Sequence, residues 1–445
     1  MDVEFAIHST RVLLPTGFGD CFVMINNGKI VDVTNNLPEN PDIEIIEAGD
    51  LVVMPGLIDS HVHINEPGRT EWEGFDTMTK AAAAGGVTTL VDMPLNSSPV
   101  TTTVEAFNQK LEVAKDQLHV NCGFYGGIIP ENAHDLEPLL NSGILGIKAF
   151  LIHSGIDEFP NVRESDLLKG MPAIAEASIP LLAHSELSTS PLLQESIKGT
   201  YSSYLSSRPR QWENNAIKLM IRLCKEYNCK THIVHLSSAE ALHMIQEAKE
   251  KGLPLTVETC PHYLYFNAED IPDDNTLFKC APPIREKENN DQLWDALKNG
   301  LIDFVVTDHS PSTPDLKKIG SSDWANAWGG ISSIQFSLSA FWTKAKEQGF
   351  KVEDVAKLMS TNVSKFLSLD DRKGKIEKGY DADLVIWDPE DKYQVKEENI
   401  HFKNKITPFI NEELCGIVMQ TYVNGKRVYD NGEFVSLNNG NIVLK

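Results

Sequence analysis

Between residues 53 and 368, short and largely apolar runs alternate with stretches whose apolar positions recur every three or four residues. The first pattern suits strands buried on both faces, and the second suits helices that bury one face. Runs at 86–93, 122–127, 146–150, 180–184, 230–235, 255–259 and 302–308, with the one that ends at His61, make eight strands. Helices are expected between most of them, for example at 216–227 and 238–251. Repeated β-α units of this kind predict an α/β fold, a (β/α)8 TIM-like barrel, with a doubly wound sheet as the alternative.

The two ends of the chain read differently. Short β-type runs lie at 4–8, 11–14, 21–25 and 29–33, and Asn26-Asn27-Gly28 is a hairpin turn because Asn and Gly tolerate positive φ. Runs of the same character return at 383–387 and 417–428. The ends are therefore expected to combine in a small, discontinuous β-sandwich domain, 1–52 plus 369–445, beside a barrel domain at 53–368.

Composition narrows the partners. A net charge of −23 over 445 residues disfavours nucleic acid and acidic membrane surfaces, both of which would be repelled. No apolar run is long enough to span a bilayer, and the N-terminus lacks the basic start and apolar core of a signal peptide. The seven cysteines are scattered without a C-x-x-C, so reduced thiols in the cytoplasm are expected. A small, neutral or weakly anionic substrate remains.

Candidate chemistry enters with the strand ends. His61 and His63 stand one residue apart where an apolar run stops, so on a strand both imidazoles point to one side. Lys148, His184, His235 and Asp308 stand at or near the ends of four other strands. Each has an ordinary explanation taken alone: a hydrogen-bonded core histidine, a helix cap, a snorkelling lysine. In a barrel, however, all strands open their C-terminal ends onto one face, which brings the six together. An ammonium is no metal ligand, but a lysine deprotonated by burial can take up carbon dioxide, and the carbamate oxygens can bridge two metals. Four imidazoles, a carbamate and a carboxylate suit two zinc ions, with cobalt, manganese or iron as substitutes. Two such ions share a water and acidify it. His262 and His309 are left out of this set, and no motif activates a thiol.

The run Asp59-Ser60-His61-Val62-His63, with Lys148, His184, His235 and Asp308-His309-Ser310-Pro311, resembles the binuclear-metal signature of the cyclic amidohydrolases, within the amidohydrolase superfamily. Gly56-Leu57-Ile58-Asp59 before it and the return at 374–385 extend the likeness over nearly the whole chain. Within the family the chain is most similar to the allantoinases, through 63–75, 93–99, 206–209, 260–263, 279–285 and 327–331. A dihydroorotase is expected to carry arginine where Asn65 stands, and a hydantoinase or dihydropyrimidinase tyrosine where His153 stands.

The resemblance implies one metal on His61, His63 and Asp308, a second on His184 and His235, and carbamylated Lys148 bridging both. It implies hydrolytic opening of allantoin to allantoate, in purine degradation, by a bridging hydroxide, with Asp308 as base and then acid. Expected substrate contacts are the backbone around Ala281, Trp328, Gly329 and Gly330, and Asn96, which could instead order its own loop. A homotetramer is implied as well. The alternatives are a hydantoinase-type relative, or a non-catalytic binding relative of the same fold, which would lack the metal ligands.

Overall fold

In the computed structural model, which describes residues 2–37, 40–189 and 197–445, eight parallel strands close into a barrel. They are Leu57–Val62, Val87–Asp92, Asn121–Phe124 continued by Gly126–Gly127, Ile147–Phe150, Leu181–His184, Thr231–Ile233, Leu255–Thr259 and Phe304–Val305. Almost every residue in them is buried, as strands covered by helices outside and packed side chains inside require. The third strand is interrupted at Tyr125, so its first part pairs with the second strand and its second part with the fourth. The eighth has only two paired residues, and a side-chain and a backbone bond complete the closure onto the first. Asp59 accepts from His61 N and Thr307 N, each at 3.0 Å, and His63 N donates to His309 O at 2.9 Å.

The helices follow the periodic stretches with shifted ends. The expected helix at 216–227 starts earlier, at Arg210, because Pro209 presets the entry and Trp212 extends the buried stripe of Ala216, Ile217, Met220 and Leu223. It stops where Asn228 turns left-handed at φ 47°. The one expected at 238–251 divides into a 3-10 turn, Ala239–Ala241, and the helix Leu242–Glu250.

The chain ends build a second, nine-stranded sheet. Phe5–Leu14 forms one strand rather than two, with a bulge between Ser9 and Val12. Before the bulge it pairs with Glu44–Glu47, and beyond it with Val52–Pro55, which in turn pairs with Leu384–Gln394 from the far end of the chain. That bend lets one sheet enclose Ile7, Val12, Val23, Leu384, Ile386 and Tyr422. The hairpin turn forms with Asn27 at φ 48° and Gly28 at φ 74°, and a Cβ on Gly28 would stand 2.8 Å from Asn424 O of a facing turn. The terminal strand Ile442–Val443 leaves this sheet and pairs with Asn121–Phe124 of the barrel. Among the described residues no helix is long and apolar enough to cross a membrane.

Candidate metal centre

The strand ends place all six candidate ligands around one cleft of about 330 Å3 at the C-terminal rim. His61 is the last residue but one of the first strand and His63 follows it, their ring centroids 5.7 Å apart. Lys148 lies inside the fourth strand, and His184 ends the fifth, opposite Phe150, on whose ring it stacks at 4.5 Å. His235 and Asp308 follow the sixth and eighth strands with left-handed backbones, φ 39° and 48°. Non-glycine residues hold that conformation only where the surroundings enforce it, which is common at working sites.

Two groupings emerge. Asp308 Oδ1 is 3.2 Å from His61 Nε2 and 3.3 Å from His63 Nε2, and these three residues can offer ligand atoms to one ion. Across the cleft, His184 Nδ1 and His235 Nε2 face each other at 3.0 Å. Second partners decide the tautomers. Glu258 Oε1 takes His61 Nδ1 at 2.5 Å, and Glu186 Oε2 takes His184 Nε2 at 2.8 Å, so the inward nitrogens keep their lone pairs. Asn96 Nδ2 stands 3.3 Å from His63 Nδ1 while its Oδ1 lacks a partner; a half-turn of the amide would let Oδ1 accept the Nδ1 proton and free Nε2 for a metal. Burial drives His61, His184 and His235 below the ordinary histidine range, which keeps them neutral as ligation requires.

Lys148 stands apart from its neighbours. It is wholly buried and its Nζ has no hydrogen-bond partner among the described residues. Burial pushes its ammonium down to about 8. An orphaned amine beside four imidazoles and a carboxylate fits a group completed by carbon dioxide, and the donor set fits two divalent cations.

The expected substrate contacts divide. Asn96, Ala281, Trp328 and Gly329 line the cleft, but Gly330 does not. Its N–H donates to Lys279 O at 2.9 Å, its carbonyl accepts from Lys317 Nζ, and a Cβ there would meet Ser310 O at 2.4 Å. Trp328 N is likewise spent on Leu316 O at 2.8 Å, leaving its indole as the lining, packed edge-on with Trp72 at 4.6 Å between ring centroids. His153, where a tyrosine marks the hydantoinases, sits exposed at the rim and accepts from Gly155 N at 3.1 Å. His309 is structural: its Nδ1 accepts from Ser333 N at 2.8 Å and Ile334 N at 3.0 Å.

Glu258, Glu186 and Arg208 were not assigned from sequence. Glu258 binds His61, His232 Nε2 at 2.9 Å and His235 N at 3.2 Å. Its signal is the same as that of Lys148: a charge inside an apolar strand. Glu186 repeats the one-residue spacing of the histidine pair, two positions after His184.

Fold and site together define a metal-dependent hydrolase on a β/α barrel. The chain belongs to the amidohydrolase family, whose model matches residues 52–428. It is 46% identical over 438 residues to an allantoinase of Streptomyces avermitilis, covering 97% of both chains. It is 42% identical to the allantoinase of Arabidopsis thaliana, over 97% of this chain and 89% of that one. Against the allantoinase of Saccharomyces cerevisiae it is 44% identical over 86% and 84%. Among solved structures, L-hydantoinase (dihydropyrimidinase) from Arthrobacter aurescens superposes over 100% of both chains with a TM-score of 0.95 and 28% identity. Dihydropyrimidinase from Brevibacillus agri follows over 99% and 98%, at 0.90 and 29%.

Proposed function

We propose that this chain is an allantoinase, opening the hydantoin ring of allantoin to allantoate. What carries the reading is whole-length identity of 46% and 42% to allantoinases, against 28% and 29% to hydantoinase-type enzymes of the same fold. His153 in place of the hydantoinase tyrosine supports it.

Two zinc ions, with cobalt, manganese or iron as substitutes, would be held by His61, His63 and Asp308 and by His184 and His235, with Lys148 as a carbamate between them. When bound, they supply a water acidified towards neutrality and a Lewis acid for the ring carbonyl. Lys148 reaches its carbamate by losing one proton from the ammonium and a second from Nζ as the N–C bond to carbon dioxide forms, which also removes an uncompensated buried cation. Asp308 takes the proton of the attacking water as the new C–O bond forms, then delivers it to the ring nitrogen as the C–N bond breaks. Glu258 and Glu186 hold His61 and His184 in the ligating tautomers. Trp328 and the backbone of Ala281 and Gly329 shape the wall, while Asn96 stays with His63.

The reading extends to the assembly. The barrel spans 53–368 and the sandwich 1–52 plus 369–445, with the terminal strand Ile442–Val443 returned to the barrel. The protein works in the cytoplasm on a small molecule, as a homotetramer, which light scattering checks. The decisive assay supplies zinc-loaded protein with allantoin and with dihydrouracil. Allantoate is the expected product; turnover of dihydrouracil with allantoin untouched would give the function to the dihydropyrimidinases.

A further inference from the structure

Arg208 occupies the cleft wall in an arrangement that holding a neighbour does not use up. Its Nε and Nη2 form a two-pronged pair with Glu186, at 2.9 and 2.5 Å, and Glu186 is the carboxylate that orients His184. Its carbonyl accepts from Arg285 Nη1 and Nη2 at 3.5 and 3.4 Å, and Arg285 pairs with Glu213 at 3.3 Å. Glu213 in turn accepts from Ser237 N at 2.7 Å and Ser238 N at 2.9 Å, just beyond the sixth strand. Both ends of Arg208 are thus anchored in buried networks. Among the described residues nothing takes Nη1, on a side chain that lines the cleft beside Tyr204 and Lys279.

A donor held this rigidly costs a ligand little ordering. Glu186 compensates the guanidinium charge, so the position suits a neutral, polar oxygen better than a free anion. Glu186 also separates Arg208 from His184, which sets the guanidinium to one side of the reacting atoms. That offset suits a contact with a ring substituent better than one with the carbonyl under attack.

We propose that Arg208 determines specificity by donating, through Nη1, to the carbonyl oxygen of the ureido arm that distinguishes allantoin from hydantoin. The proposal rests on the ring-opening reading above. Its test compares the two substrates and the metal content of Arg208→Lys, which keeps the charge but loses the planar fork. The variant is expected to retain its metal and, whatever both substrates lose together through the weaker hold on Glu186, to lose about 10- to 100-fold more in kcat/KM for allantoin than for hydantoin. Equal losses on both substrates, or loss of metal, would overturn the proposal by making Arg208 only a support for Glu186. A second comparison needs no variant: the unaltered enzyme should open hydantoin with a kcat/KM about 10-fold or more below that for allantoin. Parity there overturns the arm contact alone, whereas an enzyme that leaves allantoin intact fails the ring-opening reading itself.

Discussion

Lys148 is the residue on which the centre turns, because a buried amine without a partner is costly unless chemistry completes it. Replacing it with alanine removes the group between the two histidine clusters. Lys148→Ala is expected to drop bound metal from about two ions per chain to below one and to abolish ring opening, as atomic emission and a turnover assay would record. Short-chain carboxylates should restore part of both; full activity without them would remove the carbamate from the mechanism. At this scale the six candidates were legible because each is a polar residue at the end of an apolar run or, for Lys148, inside one. Glu186 and Glu258 were not, since a carboxylate's role appears only when the imidazole it orients is seen beside it.

The elements around the cleft depend on struts that no pattern announces. Lys317, on the short helix Pro314–Lys317, is buried and donates to Lys279 O at 2.8 Å, Trp328 O at 3.1 Å and Gly330 O, tying the loop that lines the site. Burial pushes it down to about 7, from the 10.5 of a free lysine. Below about 7 both folded and unfolded chains carry the proton, and the cost of the buried cation is felt in full. Between about 7 and 10.5 the unfolded chain binds more protons, so this group makes stability rise with pH. The gap in chemical-denaturation midpoint between the native chain and Lys317→Met should therefore shift in favour of the native chain from pH about 7 to about 9.5. An unchanged gap would mean that Lys317 does not titrate in this range. The strands were legible from their apolar runs, whereas the short eighth strand needed Asp59 to complete its edge, which only the closed barrel displays.

Over the whole molecule, ligands drawn from five strands make metal binding part of folding stability. Chelation should lower Tm by roughly 5 °C or more, since an ion present at 1,000 times its Kd adds about 4 kcal/mol to the folded state. Calorimetry with and without chelator measures this, and an unchanged Tm would count against resident metal. Sandwich and barrel should melt together, because Asp383 joins them: it accepts from Asn121 Nδ2 at 3.1 Å and Asn424 N at 2.7 Å, and pairs with Lys373.

Local chemistry was enough to determine the alternation of strand and helix, the β-rich ends and the residues able to bind metal. Periodicity and turn preference act over a few positions, and a single chain displays them. The tertiary structure alone decided which nitrogen of each histidine faces inward and that Gly330 is spent on Lys279 and Lys317. It also decided that Arg208 stands in the cleft wall with one donor unspent, and that the last strand returns to the barrel. Those outcomes depend on atoms brought within 3 Å or so from positions far apart in the chain, and hydrogen-bond geometry at that range is settled only by closure of the barrel.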